Sequence, residues 1–133
     1  MRVCRTDRTD RGERGAAVVD FVLVLLVLLP LVLGLLQVSL TLHVRNTLAS
    51  AASEGARYAA TADRGPGDGV ARARSQIAGA ISGRYARNIH AYPAAVGGAP
   101  GVAVRIDAEV PALGLMGPGV RLSVVGHAVE EEP

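Results

Sequence analysis

Between Arg14 and Arg45 the chain holds a single charged residue, Asp20, and residues 21–42 hold none at all. Wound into a helix at 1.5 Å per residue, that run is roughly 33 Å long, enough to cross the hydrocarbon core of a bilayer. A single membrane-spanning helix is therefore expected, and the remaining elements must be arranged around it. Residues 21–36 are Phe, Val and Leu with only Pro30 and Gly34 among them; Gln37, Ser39 and Thr41 then bring in polarity, so the exit from the membrane is gradual. Pro30 has no amide to bond the Leu26 carbonyl and should kink the span, a break that membrane helices tolerate. Arg2, Arg5, Arg8, Arg11 and Arg14 precede the run, diluted by Asp7, Asp10 and Glu13. Acidic residues count little toward orientation, so the N-terminus is expected inside and residues from about His43 outside.

Asp20 is the exception that calls for a reason. A carboxylate at the centre of a membrane helix costs about 2.5 to 3.5 kcal/mol, and less near an interface. Either Asp20 reaches the headgroups from the cytoplasmic end of the helix, or the charge has a task.

Three parts are expected: a basic leader over residues 1–15, the span over 16–43, and a small outer domain over 44–133. With one Phe, three Tyr and no Trp in the whole chain, that domain has few large side chains for a core and is expected to lean on neighbours or on the membrane. Its fold class reads as α+β. Val44, Leu48, Ala51, Ala52, Gly55, Tyr58, Ala59 and Ala62 recur at three- and four-residue steps, extending the membrane helix outward with one apolar face of small residues. Leu48, Ala52, Gly55 and Ala59 on that face would let another helix approach closely. Glu54 and Arg57 form an i,i+3 pair on the other side. Pro66 and the glycines of residues 63–69 should stop the helix. Asp68 can then cap a second helix over residues 70–87, with Val70, Ala73, Ile77, Ala80, Ile81 and Tyr85 at helical spacing. Its Arg72, Arg74, Arg84 and Arg87 could touch anionic headgroups, but the weak apolar face favours simple packing on the first helix.

Residues 88–101, with Pro93, Gly97, Gly98 and Pro100, read as a loop. Val102, Val104, Ile106, Ala108 and Val110 alternate with Ala103, Arg105, Asp107 and Glu109, the pattern of a half-buried strand. After a loop over residues 111–119 the alternation resumes through Val120, Leu122, Val124 and Ala128, so a C-terminal antiparallel hairpin is expected. A lone hairpin is marginal in water and should pack on the helices. The acidic tail at Glu130, Glu131 and Glu132 reads as solvated.

Several functions are excluded or disfavoured. The outer region carries nine Arg against eight Asp plus Glu, too even a balance for a nucleic-acid surface. His43, His90 and His127 are scattered, and there is no Cys cluster or phosphate-binding Gly-rich loop, so no metal, cofactor or catalytic residue is assigned and the protein is read as not an enzyme. Cys4 is alone and cannot form an intrachain disulfide. The stretch Leu48-Ala49-Ser50-Ala51 offers a signal-peptidase pattern, but too far from the apolar run.

Gly15, Ala16, the acid Asp20 five residues after Gly15, the aromatic Phe21 and the apolar run behind them resemble the processing site of type IV prepilin-like proteins. Within that group the chain resembles the TadE-like pseudopilins of tight-adherence pilus assembly, through residues 15–21, the stretches Val44-Arg45-Asn46-Thr47-Leu48 and Glu54-Gly55-Ala56-Arg57-Tyr58-Ala59-Ala60, and Val110-Pro111-Ala112-Leu113-Gly114. The likeness runs through nearly the whole chain after residue 14. It implies cleavage after Gly15 by a membrane prepilin peptidase, Ala16 as the new terminus, and Asp20, with Phe21 beside it, as the assembly acid that pairs with a neighbouring subunit's terminal amine. Pairing would remove two buried-charge penalties together. The family's acid is usually Glu, one methylene longer. The implied setting is a bacterial cytoplasmic membrane with the C-terminal domain outside, and the implied partners are the major pilin, other pseudopilins and the pilus assembly platform. The implied role is that of a minor or accessory component in pilus assembly and cell adhesion. The competing reading is a signal-anchored or secreted cell-envelope binding protein that never enters a filament.

Overall fold

The computed structural model describes residues 10–113 and 119–131. Arg2, Arg5, Arg8 and Cys4 in the basic leader, residues 114–118 of the last loop, and Glu132 lie outside them. The element order is α1 (Asp10–Ala59), α2 (Pro66–Ala80), a short 3-10 turn (Gly83–Ala86), then β1 (Asn88–Val96), β2 (Ala99–Val110) and β3 (Val120–Val129). The class is α+β. The chain forms two compact units, one of residues up to Leu36 and one from Gln37 onward.

The first unit carries the apolar stretch of α1, a helix long and apolar enough to cross a membrane, and α1 remains helical through Pro30. In the second unit the outer part of α1 lies under a three-stranded antiparallel sheet of order β1-β2-β3. Val44, Leu48, Ala51, Ala52 and Ala56 of α1 meet Ala73 and Ile77 of α2 and Ile89, Val104, Ile106, Val110 and Val124 of the sheet in one core. Three contacts set the direction of the sheet along the helix. Gln37 bonds the β2–β3 loop at Pro111 and Leu113, Gly126 of β3 crosses α1 at Ala52, and the Glu131 amide donates to the Ala60 carbonyl. Fifteen helical residues from Gln37 to Ala52 rise about 22 Å, and the strand from Val120 to Gly126 covers about 20 Å, so β3 runs alongside α1 in the same direction.

Several sequence expectations change. Residues 88–101 are not a loop: β1 pairs with β2 from Asn88 opposite Asp107 to Val96 opposite Ala99, joined by the two-residue turn Gly97-Gly98. Both glycines have positive φ, +60° and +89°, the left-handed backbone that tight hairpin turns require. Pro93 argued against a strand, but β1 is an edge, where a missing amide leaves no ladder bond unmade. The second helix begins at Pro66, not Val70. Proline fits the first helical position because that residue has no intrahelical acceptor for its amide. Asp68 is therefore inside the first turn, and its Oδ2 accepts the Gly65 amide at 3.0 Å. The helix stops at Ala80, with Tyr85 reached through the 3-10 turn. Glu54 pairs across to Arg72 of α2 at 3.1 Å and not along the helix with Arg57. Ala103, expected on the polar face of β2, is buried, because Tyr92 and His127 flank this short side chain from the adjoining strands.

Candidate functional site

Gly15, Ala16, Asp20 and Phe21 all lie in α1 and all are exposed within this chain. A Cβ placed on Gly15 would meet nothing within 4 Å. Gly15 being helical, its carbonyl is one that a helix commits to the amide four residues on, so a peptidase acting there must first unwind a turn. Glycine, among the weakest helix formers, lowers the cost of that unwinding by up to about 1 kcal/mol relative to alanine. Ala16 and Asp20 are four residues apart and share a helix face.

Asp20 heads a shallow apolar groove on that helix, continued by Leu23, Val24, Val27, Leu28 and Leu31, with a volume of about 520 Å³. These positions repeat at three- and four-residue steps and form a stripe that begins with a carboxylate and continues as pure hydrocarbon. Among the described residues no side chain of this unit covers it. Such a stripe can accept another helix along its length, with the acid oriented toward whatever cation that helix carries at its end. Phe21 is on a different face, one residue round the helix, and its ring is largely exposed.

The helix-packing residues are placed differently. Leu48, Ala52, Gly55 and Ala59 are buried within the outer unit. The close approach that their small size permits is made, but to the chain's own elements. A Cβ on Gly55 would lie 2.8 Å from the Gly69 carbonyl oxygen of α2, and one on Gly126 would strike the backbone of Ala52 and Ser53. The expectation of lateral packing against a neighbouring subunit through this face is replaced by intrachain packing, because α2 and β3 already occupy it. Tyr58 stays half-exposed, with the Arg64 guanidinium 3.8 Å from its ring centroid and Arg72 5.7 Å away, a cation–π stack where α1 turns back to α2.

The free face of the sheet carries rows of polar side chains set by the register: Asn88, Asp107 and Ser123; His90, Arg105 and Val125; Tyr92, Ala103 and His127. The Ser123 hydroxyl and the Arg105 guanidinium, 3.1 Å away, hold the Asp107 carboxyl below the usual aspartate range. Among the described residues no group of three or more His, Cys, Asp or Glu is arranged to hold a metal ion.

The sequence does not mark Gln37 as a structural contact. Its Nε2 donates to the Pro111 carbonyl at 3.3 Å and its Oε1 accepts the Leu113 amide at 2.7 Å. The only signal was its position, the first polar side chain after the apolar run.

No curated protein and no solved structure matches the chain. Residues 15–57 match the family of TadE-like proteins. The match begins at Gly15 and ends at Arg57, within α1, short of the stretch from Val110 to Gly114 on which the resemblance also drew.

Proposed function

We propose that this chain, TadE-like over residues 15–57, is a membrane-anchored pseudopilin that serves as a minor or accessory component in assembling a tight-adherence, type IV-like pilus. The single observation that carries the reading is that the family match opens at Gly15 and takes in a membrane-capable helix whose apolar stretch holds one carboxylate, Asp20, at the head of an apolar stripe that no described side chain of this unit covers. The N-terminus stays in the cytoplasm, and the outer α+β domain stands beyond the membrane. A prepilin peptidase cuts after Gly15, freeing the Ala16 amine. Asp20 then pairs with the terminal amine of an adjoining subunit, the major pilin or another pseudopilin, while the stripe from Leu23 to Leu31 packs along that subunit's helix. In hydrocarbon, an ammonium and a carboxylate that meet remove two desolvation penalties at once, which makes the pair selective for the correct stagger of the two helices. The chain's own work is association with the membrane and the assembly platform, without catalysis.

The test is the N-terminal mass of the chain after co-expression with its prepilin peptidase. A chain beginning at Ala16 supports the proposal, one beginning at Met1 supports a plain signal anchor, and one beginning at Ala52 supports a secreted domain. Ala51 and Ala52 are fully buried in a packed helix, which disfavours the last cut. Asp20→Ala should abolish co-isolation with the partner subunit, whereas Asp20→Glu should retain it. Unchanged co-isolation by Asp20→Ala would sink the role given to the acid.

A further inference from the structure

The pairing of the sheet fixes which way each backbone group of β3 points. The Glu130 amide donates to the Pro100 carbonyl at 3.0 Å, one rung beyond Val129 opposite Gly101. Along an antiparallel pair, residues that exchange hydrogen bonds alternate with residues that do not. The even residues of β2 and β3 therefore bond each other, and Arg121, Ser123, Val125, His127 and Val129 turn their amides and carbonyls away from β2. The next odd residue agrees, since the Glu131 amide leaves the sheet for the Ala60 carbonyl. Among the described residues no strand pairs with this edge, and the outward residues of β3 are all exposed.

The two edges of the sheet differ. By the same alternation the outward residues of β1 are Ile89, Ala91, Pro93 and Ala95, and Pro93 has no amide to offer a further strand. β3 has no proline, and its register with β2 is unbroken from Val120 to Val129. A long edge left bare in this way is a template for another strand.

What can lie there is limited by α1. A Cβ on Gly126 would strike the backbone of Ala52 and Ser53, so the helix runs directly beneath β3. Neighbouring strands are about 4.8 Å apart, whereas a helix with its side chains is about 10 Å wide. A second copy therefore cannot pair its β3 with this one, because the two helices would occupy the same space. The occupant has to be an extended segment with no helix beneath it. The edge is also charged in a directional way, with Arg121 at one end of the exposed row, Glu131 at the other, and Val125 and Val129 between them.

We infer that the outer edge of β3 binds an extended segment of a different protein as a fourth strand. That segment is β-branched at alternate positions, acidic where it meets Arg121 and basic where it meets Glu131. Backbone hydrogen bonds supply the affinity, and the two charges set the register. The inference rests on the outer unit alone and does not depend on cleavage after Gly15 or on the pairing of Asp20.

The probe is a synthetic peptide of alternating Val and Thr with Glu at one end and Arg at the other, added to the full chain in detergent micelles. At saturation, hydrogen exchange at the Ser123, Val125 and His127 amides should slow by roughly tenfold or more. The amides of Val124 and Gly126 should change little, because they are already bonded to β2. A peptide with Arg at both ends should bind roughly fivefold more weakly, since a like pair replaces one opposite pair. Val125→Pro deletes an outward amide and leaves the ladder to β2 intact, so the chain should fold and bind the first peptide roughly tenfold less well. Should melting curves show that this variant is unfolded, Ser123→Pro removes another outward amide and takes its place; failure of both to fold would contradict the alternation and overturn the proposal. Unchanged exchange at the three amides, or equal binding of the two peptides, also overturns it. So does slowing at the same amides that grows with chain concentration and needs no peptide, which would assign the edge to a second copy.

Discussion

The two halves of α1 are one helix built for two solvents. Residues 18–36 are mostly large aliphatics that are exposed along nearly their whole length, Leu26 at 71%. From Val44 to Ala60 the inward positions are mostly alanine, with Gly55 among them, and they are buried almost completely, Leu48 at 0%. Hydrocarbon needs no shape from a helix, only apolar surface, so bulky side chains all round serve there. A protein partner must interdigitate, and a sheet lying along a helix on one side with a second helix on another demands that the backbone be reachable. Small residues mark where the helix has a specific neighbour within the chain, and large ones where the outer domain offers none.

The severest way to break the outer half is to add a side chain where β3 crosses the helix. Gly126→Val would drive two methyl groups into the backbone of Ala52 and Ser53, which cannot yield as a side chain end could. The expected loss is roughly 4 kcal/mol in thermal or denaturant unfolding of the detergent-solubilised chain. A matched pair of truncations sharpens the contrast. Leu48→Ala should cost about 3 kcal/mol by leaving a cavity under the sheet, whereas Leu26→Ala should change the same transition by less than about 0.5 kcal/mol. Equal effects would mean that the two halves do not differ in what surrounds them. Gln37→Ala removes its two hydrogen bonds to the β2–β3 loop. It should cost about 1 kcal/mol and speed hydrogen exchange at the Leu113 amide more than at the amides of the central strand.

The smallest effect belongs to the free face of the sheet. Folding holds the Asp107 carboxyl below its ordinary range, first through Ser123 and then through Arg105. The unfolded chain therefore binds the proton more readily, and the stabilisation is complete above about pH 4 and fades as pH falls through the lower folded value. Asp107→Asn should flatten that acid limb of the stability curve slightly and leave neutral stability almost unchanged, since exposed pairs contribute little.

How much was legible follows from the range of each signal. The span, the isolated Asp20 and the alternation from Val102 to Val110 are patterns in consecutive residues, and each corresponds to an element in the fold. β1 is not legible in the sequence because its cues point two ways. Pro93 argues against a strand, and Gly97-Gly98 reads equally as a loose loop or as a tight hairpin turn. Only the partner strand decides between them. Glu54 illustrates the same limit: Arg57 is nearer in sequence, but Arg72 is brought alongside once α2 folds back.

The sequence by itself determined that one apolar helix leads into a small α+β domain, and that a single acid stands at the head of that helix, because hydropathy, charge and period are counted along the chain. Only the tertiary structure decided that the small-residue face is filled from within, that Gln37 pins the loop at the end of the apolar run, and that the Glu130 amide meets Pro100 and so turns the odd residues of β3 outward. Those contacts join residues that are far apart in the chain. A residue's own neighbours fix its local conformation, but its distant partners are chosen by how the elements close on one another.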